Sequence, residues 1–150
     1  MNATRQRGTT TVEFAIVGLL LLVLLFVIVE FGRILFSINV LDESARRGAR
    51  VAAVCAVNNA AITDAATFVS LPNLTAANVV TQYLDENGVP LGDPAGADYA
   101  AIAYVRVRIV DYSFPVALPL IATVFAAPEI SSTLPRESLG VPYFGAAPAC

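Results

Sequence analysis

The sequence predicts an α+β protein in which one long N-terminal helix of membrane-spanning character is followed by a small domain built on an antiparallel sheet. Three observations carry that prediction. Phe14 to Val29 (FAIVGLLLLVLLFVIV) is an unbroken uncharged run, no proline interrupts the chain from Thr9 to Val57, and Ile102 to Tyr112 (IAYVRVRIVDY) alternates polar and apolar side chains. The bulk composition agrees: 57% of the 150 residues are hydrophobic, and the mean hydropathy is +0.70. That is too apolar for an ordinary soluble domain, and the excess sits in the first third, leaving about 95 residues for the domain.

The apolar run comes first. In helical conformation, at ~1.5 Å per residue, Phe14–Val29 covers ~24 Å and its continuation through Phe36 ~34 Å, enough for a bilayer core. The span is therefore expected at about 14–36. A cleaved secretory signal would be shorter and followed by a small-residue site; here Glu30-Phe31-Gly32-Arg33 and further helix-compatible sequence follow, which favours a retained anchor. A bare count of arginines, with Arg5 and Arg7 before the span and Arg33, Arg46, Arg47 and Arg50 after it, leans towards a cytoplasmic C-terminal domain. Asp42 and Glu43 stand four residues before Arg46 and Arg47, so part of that later charge is expected to be paired along the helix.

Gly18, Gly32 and Gly48 are the only weak points before Asn58-Asn59, so one helix from about Thr10 to Cys55 is the simplest reading. Beyond the span it becomes amphipathic, with Leu41, Ala45, Ala49 and Ala52 on one stripe. A short second helix is expected over 60–69, ended by Leu71-Pro72-Asn73. Val79–Leu84 reads as a strand, Asn87-Gly88 as a turn and 90–98 as a Gly/Pro/Asp loop. In the strongest strand, 102–112, Tyr104, Arg106 and Arg108 face outward while Val105, Val107 and Ile109 face a core. Residues 114–127 are apolar but carry Pro115 and Pro119, with Pro128 following, which predicts a packed loop or short helix near the membrane or core. A last, weaker strand is expected over 129–136, and 142–148 reads as a tail.

Composition narrows the function. A net charge of −3, with no lysine and no histidine, argues against nucleic-acid binding, which requires a clustered basic face. Without histidine the commonest general base and metal ligand are missing. No G-x-S-x-G, Walker loop or C-x-x-C occurs, and Asp85, Glu86, Asp93 and Asp98 lack calcium-loop spacing. We therefore expect no enzyme activity, no metal, no cofactor and no small-molecule substrate. Cys55 and Cys150 are an even pair at distant positions, compatible with one disulfide in an oxidising compartment or with two separate thiols.

Arg7-Gly8, Glu13-Phe14-Ala15, the apolar run, Glu30-Phe31-Gly32-Arg33 and Ala45-Arg46-Arg47-Gly48-Ala49-Arg50, in that order, resemble the TadE-like family of pilin-like and pseudopilin proteins of bacterial Tad (tight adherence) pilus assembly. The resemblance covers about the first 55 residues. It implies an inner-membrane protein with its N-terminus in the cytoplasm and its domain in the periplasm, against the bare charge count. It also implies a leader over 1–8, cut by a prepilin peptidase between Gly8 and Thr9, a helix over 9–56 and a domain over 57–150. The implied partners are the bilayer, other pilin-like subunits and the inner-membrane assembly proteins. Its function would be that of a minor pilin or pseudopilin priming pilus assembly by helix packing; the alternatives are an uncleaved membrane scaffold recruiting pilus or secretion components, and an anchored periplasmic binding or enzymatic module.

Each candidate residue has two readings. Glu13 closes a Thr10-x-x-Glu13 capping box, or pairs with the free amine of a neighbouring processed subunit, since a carboxylate at a membrane edge is costly unless paired. Glu30 and Arg33 form an intrahelical pair at the membrane edge or contact a partner helix. Arg46, Arg47 and Arg50 form a solvated stripe or a docking surface for the assembly machinery. Gly48 admits either the domain or another helix at close range.

Overall fold

The computed structural model describes residues 7–68, 71–118, 121–141 and 150. Helix α1 runs from Arg7 to Val54 without a break and helix α2 from Ala60 to Thr67. Five strands follow: β1 (Val79–Leu84), β2 (Tyr104–Ile109), β3 (Ser113–Leu118), β4 (Ile121–Ala126) and β5 (Ile130–Pro135). Strands β1, β2 and β5 form an antiparallel sheet in the order β1-β2-β5, while β3 and β4 form a separate antiparallel ribbon. The α+β class and the long apolar helix leading into an antiparallel domain are thus borne out.

The sheet packs on the outer half of α1 because of side-chain size. Leu41, Ala45, Ala49 and Ala52 are fully buried along one stripe, and Val105, Val107 and Ile109 of β2 close over it. At Gly48 an added Cβ would lie 3.1 Å from both Ala66 Cβ and Val107 Cγ1, so this glycine lets α2 and the sheet approach the helix together. The outward face of β2 carries Tyr104, Arg106 and Arg108. Arg108 grips Glu129 through two bonds of 2.6 and 2.5 Å, which lower the Glu129 pKa.

Three details differ from expectation. Helix α1 already includes Arg7, so in the uncut chain Thr10 lies inside it and is not an N-cap, which requires non-helical backbone. Strand β2 is shorter than 102–112 because a 3-10 turn at Tyr99–Ala101 precedes it and Asp111 bends the chain with φ 53°. The largest difference is at 114–127, where the structure has the β3–β4 hairpin in place of a loop or short helix, with Phe114 paired to Phe125 and Pro115 to Val124. In a two-stranded ribbon every strand is an edge, so a proline lacking its N–H costs much less than in a sheet interior. The tail at 142–148 and most of the 1–8 segment lie outside the described residues.

The end of α1 is closed by chain from the far side of the domain. Glu137 and Leu139 donate their backbone N–H groups to Ala53 O at 3.0 and 3.3 Å, and Gly140 donates to Val54 O at 2.7 Å. Ser138 Oγ donates to Val54 O at 2.9 Å. These bonds satisfy carbonyls that a helix end leaves without partners. Gly140 has φ 78°, and a Cβ there would stand 2.9 Å from the Ala56 backbone, so glycine is required for the approach. Cys55, just past the helix, is disulfide-bonded to Cys150 with Cα atoms 5.7 Å apart.

Candidate functional site

Three stretches of α1 carry the candidate residues. At its start, Gly8, Thr9 and Glu13 are all exposed. A side chain at Gly8 would meet nothing within 4 Å, so nothing in the fold of this protein requires glycine there. Thr9 and Glu13, four residues apart, share a helix face.

The second stretch is the far end of the apolar run. From Val12 to Val29 the large side chains are exposed. Among the described residues one helix is long and apolar enough to cross a membrane; its most apolar window has mean hydropathy 3.1 and is not buried within the protein. Glu30 ends this regime: it is 9% exposed, whereas its neighbours Val29 and Phe31 are 69% and 61% exposed. Its carboxylate pairs with Arg33 at 2.7 Å, and the Arg33 guanidinium also donates to Pro115 O of β3, 82 residues away. The Glu30–Arg33 pair is therefore real, and it also ties the hairpin to the helix. Below it, Ile34, Ile38 and Leu41 pack against Tyr112 and Phe114, whose rings meet edge to face with centroids 5.2 Å apart. Tyr112 donates to Pro72 O at 2.9 Å. Burial raises its hydroxyl pKa, with the Arg33 charge opposing.

On the third stretch, Arg46 pairs with Asp42 and Arg47 with Glu43 at 2.8 Å. The Arg47 bond holds the Glu43 carboxyl below its ordinary pKa. Arg47 also lies over the Phe68 ring, 5.8 Å from its centroid. Arg50 is exposed beside them. The structure brings Arg46, Arg47 and Arg50 together as a partly neutralised stripe about a dozen residues beyond Glu30–Arg33, and it keeps both groups far from Glu13.

Around the acidic loop, Asp85 accepts from the backbone of Asn87 and Val89 at 2.9 and 2.8 Å, which lowers its pKa. Asp98 accepts from Asp93 N at 2.9 Å. These carboxylates organise turns, and among the described residues no group of three or more potential ligands could hold a metal.

Sequence reasoning missed the Arg33–Pro115 contact, the cap supplied by 137–140 and the hairpin. The last had a signal: Ile121-Ala-Thr-Val-Phe is rich in β-branched and aromatic residues.

Fold and site together define a helix-anchored α+β protein whose apolar helix surface is unclaimed by its own domain. A family model described as TadE-like protein matches residues 8–50, the segment that carries Gly8, Glu13, Glu30, Arg33 and the arginine stripe. No curated protein and no solved structure matches the chain.

Proposed function

We propose that this protein is a minor pilin or pseudopilin of a Tad pilus, single-pass in the bacterial inner membrane with its domain in the periplasm, which primes or assists assembly by lateral helix packing. The observation that supports this most is the division of α1. Its first half is an apolar rod that buries nothing of itself, and the domain begins only at Glu30. In the bilayer, lipid covers that rod; in a fibre, the helices of other subunits do, so its apolar surface stays out of water throughout. Prepilin peptidase would cut after Gly8, which places a new amine on Thr9, one turn from the Glu13 of its own chain and within reach of a neighbour's. The same cut would make Thr9 and Thr10 the start of the helix, so in the processed chain Glu13 can serve both the capping box and a neighbour's amine.

Gly8→Leu is expected to abolish leader removal, because a peptidase must approach backbone at a residue that a side chain would shield. Intact mass and N-terminal sequence of membrane-extracted protein check it. An intact N-terminus in the wild type would instead support the uncleaved scaffold. Glu13→Leu should insert as well as or better than the wild type yet fail to support piliation, and normal pili on the mutant would remove the pairing role.

A further inference from the structure

Among the described residues, each face of the β3–β4 ribbon carries an exposed apolar side chain, Val124 on one and Phe125 on the other, and the helix beside the ribbon fixes its level. We infer that this hairpin is a second membrane contact, seated on the outer boundary of the same bilayer leaflet that α1 leaves, with phospholipid as its partner. The inference rests on the reading of α1 as a membrane span.

The chain path gives the direction. Val105 and Val107 pack near Ala49 and Ala52, Ile109 near Leu41 and Ala45, and Tyr112 and Phe114 near Ile34 and Ile38. Pro115 then receives the Arg33 bond. From β2 into β3 the backbone therefore descends along α1 towards the apolar run. A hydrocarbon core of ~30 Å takes about 20 helical residues, which, counted from Phe14, ends at Arg33. Pro115, held by Arg33, lies at that boundary, and the register puts Val124 opposite Pro115 and Phe125 opposite Phe114. Val124, on the ribbon face that carries Pro115, is 64% exposed, and Phe125, on the opposite face, is 56% exposed.

Charge and backbone chemistry agree with that level. Tyr112 to Pro128 contains no charged residue, although Asp111 and Glu129 flank it. A two-stranded ribbon has open N–H and C=O groups on both edges, which excludes it from deep hydrocarbon but not from the hydrated headgroup boundary. Phe31, Leu35 and Phe36 of α1, which flank Arg33 along the helix, are also exposed. A lipid surface at that level covers them and the hairpin.

The chain contains no tryptophan, so single-tryptophan variants of the full-length protein in phospholipid vesicles test the contact directly. Val124→Trp is the probe, Leu21→Trp the reference inside the span, and Val89→Trp the reference at the end of the domain away from the hairpin. We expect Val124→Trp to be quenched by lipids brominated near the carbonyl end of the chain more than by those brominated near the methyl end, and to be several-fold less accessible to acrylamide than Val89→Trp. Pro115→Trp, at an exposed position on the same ribbon face as Val124, gives the same result if the first variant disturbs the ribbon. Acrylamide access equal to that of Val89→Trp, with Leu21→Trp still quenched by lipid, overturns the hairpin contact and leaves the span intact. Shielding that disappears on diluting the protein in lipid means a second copy covers the face, and it overturns the lipid contact too. If Leu21→Trp also escapes lipid quenching, the reading of α1 falls with it.

Discussion

The two halves of α1 share one continuous backbone and treat their side chains in opposite ways. Between Val12 and Val29, leucine, valine, isoleucine and phenylalanine point outward on all sides and are exposed. Between Leu41 and Ala53 the buried residues are nearly all small: Ser44, Ala45, Gly48, Ala49, Ala52 and Ala53. The half with the larger hydrophobic content thus buries nothing in its own domain. Size explains the division. A sheet and a second helix can close on alanine and glycine within van der Waals contact, and the area they bury is then supplied by Ile62, Val105, Val107 and Ile109. The bulky half instead presents side chains worth roughly 1.5–3 kcal/mol each on burial, a total that no helix could leave in water. A membrane or a bundle of like helices must supply the missing surface, and the small-residue half fixes where that requirement stops.

The sharpest way to break this contrast is to put one side chain into both halves. Gly48→Leu should destabilise the domain by ~3 kcal/mol through overpacking against Ala66 and Val107. Gly18→Leu, where a Cβ meets nothing within 4 Å, should leave it unchanged. Thermal unfolding in detergent micelles, followed by near-ultraviolet circular dichroism, compares them. Equal effects would mean that the halves do not differ as described.

Next in size is the disulfide that secures the end of the outer half. Cys55 and Cys150 are 95 residues apart, for which chain entropy gives a ceiling near ~4.7 kcal/mol and a typical realised value of ~2 kcal/mol. Cys150→Ser should lower domain stability by that smaller amount while the apolar half continues to insert normally. Thiol labelling of denatured, unreduced wild-type protein should find no reactive cysteine.

The smallest effect concerns the sheet face turned away from α1. Arg108 holds the Glu129 pKa below its ordinary 4.5. A depressed carboxylate contributes stability that is complete above its unfolded value and is lost as pH falls through its folded value. Glu129→Gln should therefore be slightly less stable than the wild type near neutrality and converge with it below about pH 4, as read by melts across an acid series. The pair is exposed, so the difference should be modest and shrink with salt.

Much of this architecture was legible in the residues. The apolar run, the absence of proline and the Leu41–Ala52 stripe set the helix and its buried face; the alternation in 104–109 set the central strand and its two faces. The i,i+4 spacing of Asp42–Arg46 and Glu43–Arg47 gave the pairs that form. What was not legible depends on distant chain. Pro115 read as a breaker because a sequence does not say that its strand will be all edge. Arg33 finds a carbonyl 82 positions away, and Ser138-Leu139-Gly140 caps a helix whose last residue is Val54, neither of which leaves a local periodicity. At the candidate site, the order of Gly8, Glu13, Glu30 and Arg33 was readable, but the bond that ties Arg33 to the hairpin was not.

The closure of α1 by residues 137–140 and Cys150 also sets a timetable. At about 5–20 residues per second of synthesis, the apolar half of the helix emerges and can enter the membrane several seconds before its own cap exists. Cys55 waits through 95 further residues before its partner is made. During that interval the helix end has open carbonyls and a reduced thiol, and the sheet lacks β5. While the chain is being made, the domain therefore cannot complete itself ahead of the apolar helix and hinder its delivery to a bilayer.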